Sequence, residues 1–166
     1  MRTRATWKAI AFLLNGAVLA GLWMVLARPS LADSVGLGNA FKREEGWQQL
    51  GAETAVLSRA ATYDAIVADN RSVAAELLYY ARPRRAPMRV WSRDLNIRDH
   101  FEMTIRRAAG TGRVLLVIEP SSAKRVLVTF DSATLVKTVT TAIGGHHQRV
   151  TAMYDASHYR GPQLPP

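Results

Sequence analysis

The sequence predicts an α/β protein: one N-terminal transmembrane helix, then a small domain with a mostly parallel sheet and a C-terminal antiparallel β-hairpin. Three observations predict it. The run from Ala9 to Ala27 contains a single strongly polar side chain, that of Asn15. Short apolar runs then alternate with stretches of helical period, as they do in parallel sheets. Two β-rich runs flank a Gly-Gly pair near the C-terminus and predict the hairpin.

The apolar run has the length of a membrane span. As a helix it would extend about 28 Å, close to the hydrocarbon thickness of a bilayer. Trp7 and Trp23 lie near its ends, where interfacial anchors occur. Basic residues precede it and predict a cytoplasmic N-terminus; they are Arg2, Arg4 and Lys8. The alternative is a signal peptide cleaved after Ser30-Leu31-Ala32. We expect an uncleaved inner-membrane anchor, and both interpretations place the following domain in the periplasm.

The chain divides into four predicted segments. Residues 1–28 form the anchor, 29–41 a juxtamembrane linker, 42–160 the α/β domain and 161–166 a flexible tail. Of the net charge of +9, almost half comes from four basic residues that flank the apolar run: Arg2, Arg4 and Lys8 before it and Arg28 after it. The absence of cysteine excludes disulfides and cysteine-based zinc sites.

The first half of the domain predicts alternating helices and strands. A stripe of helical spacing comprises Trp47, Leu50, Thr54, Leu57 and Ala61. Residues 65–68 predict a strand that is buried on both faces, and a helix capped by Asp69 or Asn70 follows it. Residues 88–91 predict a second, parallel strand. A polar loop with at most a short helix precedes the strongest strand signal, at 113–119, which we place at the sheet centre.

The second half is more ambiguous. Residues 121–133 predict either a serine-capped helix that buries Val126 and Phe130 or a further strand. The hairpin arms that follow place Leu135, Val139 and Ile143 on one face of the first arm. Val150, Ala152 and Tyr154 share one face of the second arm.

No catalytic motif is present: the sequence lacks GxxxxGK[ST], GxGxxG at a strand–helix junction, GxSxG and HExxH. Asp99, His100 and Glu102 form the densest titratable cluster. They could supply a general base or half of a metal site, or they could bond locally to nearby arginines. His146-His147 is interpreted as an exposed turn. We therefore assign no catalytic residue, no metal site and no cofactor.

Two further groups are candidates for binding. Asp69 and Arg71 follow the first strand, where open α/β sheets bind ligands, although helix capping also accounts for them. An arginine cluster includes Arg82, Arg84, Arg85, Arg89 and Arg93. It lacks the interleaved aromatics of a single-strand nucleic-acid groove, so we expect no nucleic-acid partner. The arginine cluster is interpreted either as a solvated loop or as a site for a phosphate or an anionic lipid headgroup.

The segment from Lys42 to Pro120 resembles the C-terminal extracytoplasmic domain of bacterial family 39 glycosyltransferases. The residues that carry the resemblance are KREEGWQQLG, IVADNRSVAAELLYYARP, RVWSRDLNIRDHFEMT and VLLVIEP. Those enzymes are multi-span GT-C proteins, related to protein mannosyltransferases and aminoarabinose transferases, in which such a domain follows the last membrane helix. They transfer a sugar from a polyprenyl-phosphate carrier to a lipid or protein acceptor.

The resemblance implies a part of such an enzyme and no catalysis by this chain alone. The catalytic acid of the family lies in an early extracytoplasmic loop between membrane helices, and no position here matches it. The implied partners are the membrane, a multi-span glycosyltransferase core and a lipid-linked sugar. The alternative is an independent extracytoplasmic binding module that shares only the fold.

Overall fold

The computed structural model describes residues 2–28, 31, 46–94, 96–143 and 147–161, with the backbone alone for 2–5. The described residues fall into two units, of which the first contains the N-terminal helix and the hairpin tip and the second contains the remainder. Most of the predicted linker, Ser30 and Ala32 of the cleavage sequence, most of the predicted tail and His146 lie outside the described residues.

Helix α1 spans Arg2–Ala27. Its section Thr6–Ala27 has a mean hydropathy of 2.1 in its most apolar window and no buried residue there. It is long and apolar enough to cross a membrane, and an N-terminal signal sequence would share both properties. The amide of Asn15 donates to the carbonyl oxygen of Ala11 at 2.8 Å, so the one polar side chain in the run is bonded within the helix.

The second unit contains a five-stranded mixed sheet of order β2-β1-β3-β5-β4. Its strands are β1 (Ala65–Ala68), β2 (Met88–Val90), β3 (Val114–Ile118), β4 (Phe130–Ala142) and β5 (Gln148–Tyr159). β1 is parallel to β2 and to β3, and β5 is antiparallel to β3. The predicted fold class is therefore confirmed, with β3 at the centre as expected.

Helices cover both faces of this sheet. They are α2 (Trp47–Ala60), α3 (Arg71–Tyr80), α4 (His100–Ile105) and α5 (Pro120–Leu127). Leu50 of α2 and Leu77 of α3 pack on one face against Ile66 and Leu115. Val126 of α5 packs on the other face. Every residue of β1 and β3 is buried, which explains why both strands are continuous apolar runs.

Local differences from the predictions have identifiable causes. Helix α5 begins at Pro120, and Glu119 occupies the N-cap position without a side-chain hydrogen bond, so the predicted serine cap is wrong. Proline is well suited to the first helical position because its fixed φ is helical and it lacks an N–H. Phe130 is buried as predicted, but it begins β4 rather than ending the helix.

Candidate functional site

The carboxyl ends of β1 and β3 meet at the edge where open α/β sheets bind ligands. Asp69 follows β1 and is buried there. One of its carboxylate oxygens accepts from the backbone N–H of Glu119, 3.2 Å away and just after β3. Its other oxygen accepts from the amide of Asn70 at 2.9 Å. Burial raises the pKa of Asp69, and hydrogen bonds from Ser122 and Glu119 oppose that shift. Asp69 therefore links the ends of two strands.

Asn70, not Asp69, caps α3. Its side-chain oxygen accepts from the N–H groups of Ser72 and Val73, both at 3.0 Å. Arg71 is exposed at the first position of the helix. The sequence predicted both the cap and the carboxyl-edge position, but it did not distinguish the roles of the two neighbouring residues.

A second side-chain pair at the carboxyl edge has no sequence signal. The guanidinium of Arg149, on β5, lies 3.7 Å from the centre of the Trp47 ring. Burial lowers the pKa of Arg149, while the charges of Glu119 and Glu76 oppose that shift. Because Trp47 and Arg149 are about a hundred residues apart in the chain, only the folded sheet brings them together.

The cluster of Asp99, His100 and Glu102 has a structural role. Asp99 caps α4, and its carboxylate accepts from the N–H of Glu102 at 2.9 Å. Glu102 is buried and accepts from the N–H of Arg98 at 2.8 Å and from the hydroxyl of Ser92 at 3.4 Å. His100 is exposed. The part of the chain that the structure describes contains no group of three or more His, Cys, Asp or Glu that could hold a metal ion.

Replacing Glu102 should therefore affect stability, and replacing His100 should not. We expect Glu102→Ala to lower the free energy of unfolding by roughly 1–2 kcal/mol, because the backbone N–H of Arg98 loses its acceptor and the ion pair between Arg98 and Glu102 is lost. His100→Ala should change it by less than about 0.5 kcal/mol. Thermal unfolding of the full chain in detergent measures both. A larger loss for His100→Ala than for Glu102→Ala would contradict this assignment.

The arginine loop, residues 82–87, joins the end of α3 to the start of β2. It therefore lies at the amino ends of the parallel strands, opposite the carboxyl edge. Arg82 donates through Nε to the carbonyl oxygen of Leu78 at 2.9 Å, and Arg84 donates through Nη1 to the same oxygen at 3.1 Å. Arg59, at the end of α2, donates to the carbonyl oxygen of Pro83 at 2.8 Å. The structure thus adds Arg59 to the predicted cluster, because the end of α2 packs beside this loop.

The arginine loop lines a wide-open surface pocket of about 780 Å³, whose lining residues are Arg82, Pro83, Arg84, Arg85, Ala86 and Pro87. Burial and the neighbouring charge of Arg82 both lower the pKa of Arg84. The ion pairs found among the described residues involve none of these three arginines. The C-terminal end of α3 supplies only partial negative charge. An anion in the pocket would therefore be attracted by several guanidinium groups.

Neither Arg89 nor Arg93 lines this pocket. Arg89 lies on β2, where it is half-buried and donates to the carbonyl oxygen of Met88 at 3.3 Å. Arg93 is exposed beyond the other end of β2. The predicted arginine cluster is thus divided: Arg82, Arg84 and Arg85 lie before the start of β2, and Arg93 lies after its end.

Comparisons of the chain with protein-family models, with curated proteins and with solved structures found no match.

Proposed function

We propose that this chain is a membrane-anchored domain that binds the phosphate of a polyprenyl-phosphate-linked sugar and serves a multi-span glycosyltransferase core. The observation that carries the proposal is the arginine loop, in which Arg82, Arg84 and Arg85 line one open pocket. Guanidinium groups offer several planar N–H donors, and these match the oxygens of a phosphate.

The N-terminal helix supports the proposal that the ligand is a lipid of the membrane. A helix of this length and hydropathy would keep the domain at a bilayer surface. The phosphate of a polyprenyl carrier lies at that surface while its hydrocarbon chain lies in the bilayer. In this proposal the domain is periplasmic, the anchor remains uncleaved in the inner membrane, and the N-terminus is cytoplasmic.

The resemblance of Lys42–Pro120 to the terminal domain of family 39 glycosyltransferases supports the sugar carrier as the ligand. Besides holding the phosphate of the carrier, the domain in that arrangement caps the membrane core or contributes to acceptor binding, and the core supplies the catalytic acid. The chain by itself would then not transfer sugar. Turnover of a polyprenyl-phosphate sugar by the purified chain would contradict this part of the proposal.

A binding module that acts without a glycosyltransferase is the second candidate. The observation that favours it is the domain's own core, which is buried on both faces of the sheet and is typical of a domain that folds independently. Isolation of the chain from native membranes distinguishes the two candidates. A multi-span protein recovered with it would favour the first, and its recovery alone would favour the second.

Charge reversal tests the phosphate site directly. We expect Arg84→Glu with Arg85→Glu to weaken the binding of a polyprenyl phosphate to the full chain in neutral-lipid nanodiscs by at least about tenfold, because charge-assisted hydrogen bonds are lost. The matched control is Arg93→Glu with Lys124→Glu, which changes the net charge equally at exposed positions outside the pocket. Equal weakening in both double variants would indicate nonspecific attraction and would overturn the assigned site.

A further inference from the structure

Strand β4 forms one edge of the sheet, and in the described part of the chain its only strand neighbour is β5. Residues 131–136 of β4 are all exposed. Because successive residues point to opposite faces, this section is uncovered on both faces as well as along its edge. Leu135 and Val136 are 53% and 43% exposed.

The section of this edge between Asp131 and Lys137 lacks the usual protection against pairing with another strand. Natural edge strands carry charged residues, proline or bulges, which discourage association. The section from Ser132 to Val136 reads SATLV and contains neither a charge nor a proline. Its N–H and C=O groups on the open side can therefore bond to an added strand.

Two opposite charges flank the section, and they identify the strand that fits it. Asp131 and Lys137 lie six residues apart, so their side chains are on the same face. Lys137 Nζ lies 2.6 Å from Glu53 Oε2, and Asp131 Oδ1 lies 3.3 Å from Arg160 Nε. An antiparallel copy of β4 centred on Thr134 would place Lys137 opposite Asp131 at both ends of the section.

We propose that β4 pairs antiparallel with β4 of a second copy of this chain, about a two-fold axis at Thr134. The pairing joins the two five-stranded sheets into one. It forms an alternating row of charges in which Lys137, bound to Glu53, meets Asp131 of the second copy, which is bound to Arg160. On the same face Leu135 lies opposite Ala133 of the second copy. Every other antiparallel register separates Asp131 from Lys137, so the charges specify this one.

A cysteine cross-link tests the axis, since the chain has no native cysteine. In an antiparallel pair, directly opposite Cβ atoms are about 4.5–5.5 Å apart, close to the separation that a disulfide requires. Thr134→Cys should therefore cross-link two copies of the full chain in membranes. Thr140→Cys is the control, because it is exposed on the same strand but about 40 Å from its counterpart in this register.

We expect Thr134→Cys to form the disulfide dimer at least about tenfold faster than Thr140→Cys, because pairing raises the effective thiol concentration. Equal rates, or no dimer of Thr134→Cys, would overturn the proposal. A disulfide from Thr134→Cys to a different protein would also overturn it, because another chain would then occupy the edge.

Charge reversal tests the register independently. In the Thr134→Cys background, Asp131→Lys or Lys137→Asp alone places like charges opposite each other, and each should slow cross-linking to the rate of the Thr140→Cys control. A mixture of the two reversed chains, carrying different tags, restores opposite charges at both ends of the pair. The mixture should therefore cross-link at least about tenfold faster between unlike tags than between like tags. An equal rate for like and unlike tags would contradict the register.

Discussion

Gly51→Ala should lower the free energy of unfolding of the α/β domain by about 2 kcal/mol, whereas Gly112→Ala should change it by less than about 0.5 kcal/mol. A Cβ atom on Gly51 would lie 2.6 Å from the backbone carbonyl carbon of Tyr80 and 2.8 Å from its oxygen. Helices α2 and α3 would have to move apart to admit it. Overpacking of this kind costs roughly 1–3 kcal/mol, and the better helix propensity of alanine offsets only part of it.

Gly112 provides the matched comparison for Gly51. A Cβ atom there would contact the carboxylate of Asp64, with its Cγ atom 2.9 Å away. Asp64 is exposed, so its flexible side chain can rotate away at little cost. Urea unfolding of both variants in the full chain measures the difference. Equal losses of stability would show that the contact between α2 and α3 tolerates a methyl group.

The contact at Gly51 shows where prediction from the sequence ended. The apolar period placed α2 correctly and identified Trp47 and Leu50 as buried. The buried face of α2, on which α3 packs, also includes small residues, however: Gly51, Ala55 and Ser58. Leu57, by contrast, is only half-buried. Periodicity finds large apolar side chains, but it cannot show where a second helix approaches the backbone.

Strands β1 and β3, unlike the contact at Gly51, could be predicted from the sequence because burial leaves a local pattern. Both are covered on both faces, so each must be a continuous apolar run, and that pattern is visible locally. The edge strand β4 has no such constraint. It starts at Phe130, earlier than its predicted arm, and Leu135 of the predicted inner face is exposed. Val139 of that face is buried as predicted.

In the candidate sites, too, contacts between residues close in the sequence were predictable and contacts between distant residues were not. Local rules predicted a cap at Asp69 or Asn70, because a cap is made with residues two or three positions away. The bond from Glu119 to Asp69 joins residues fifty positions apart. The approach of Arg59 to the arginine loop likewise depends on tertiary packing. Neither contact has a signal in the linear sequence.

Tyr159→Phe should make the domain more stable than wild type in strong alkali, although it removes a hydrogen bond at neutral pH. Tyr159 is 2% exposed, and its hydroxyl donates to the carbonyl oxygen of Ser92 at 3.4 Å. Its ring lies 5.0 Å from that of Phe130, measured between centroids. Burial raises the pKa of Tyr159 from 10.0 to about 12, and the charges of Arg106 and Arg107 only partly oppose this.

The sign of the pH dependence follows from proton binding. Between the two pKa values the unfolded chain has lost the Tyr159 proton and the folded chain retains it. Stability therefore falls as pH rises from 10.0 towards about 12. The full loss is about 2.7 kcal/mol, since each pKa unit corresponds to 1.36 kcal/mol. Phenylalanine cannot ionise, so this loss is absent from the Tyr159→Phe variant.

Urea unfolding from pH 8 to pH 11 of wild type, Tyr159→Phe and the control Tyr79→Phe measures the effect. Below pH 9 we expect Tyr159→Phe to be less stable than wild type by at most about 1 kcal/mol, because the lost hydrogen bond is long. The two stability curves should then converge and cross above pH 10. Tyr79 is 69% exposed, so the curve of its variant should stay parallel to that of wild type. A curve for Tyr159→Phe that also stays parallel to that of wild type would contradict the prediction. It would show that water reaches the hydroxyl of Tyr159 in the folded state, because the rings of Tyr159 and Phe130 separate before the domain unfolds.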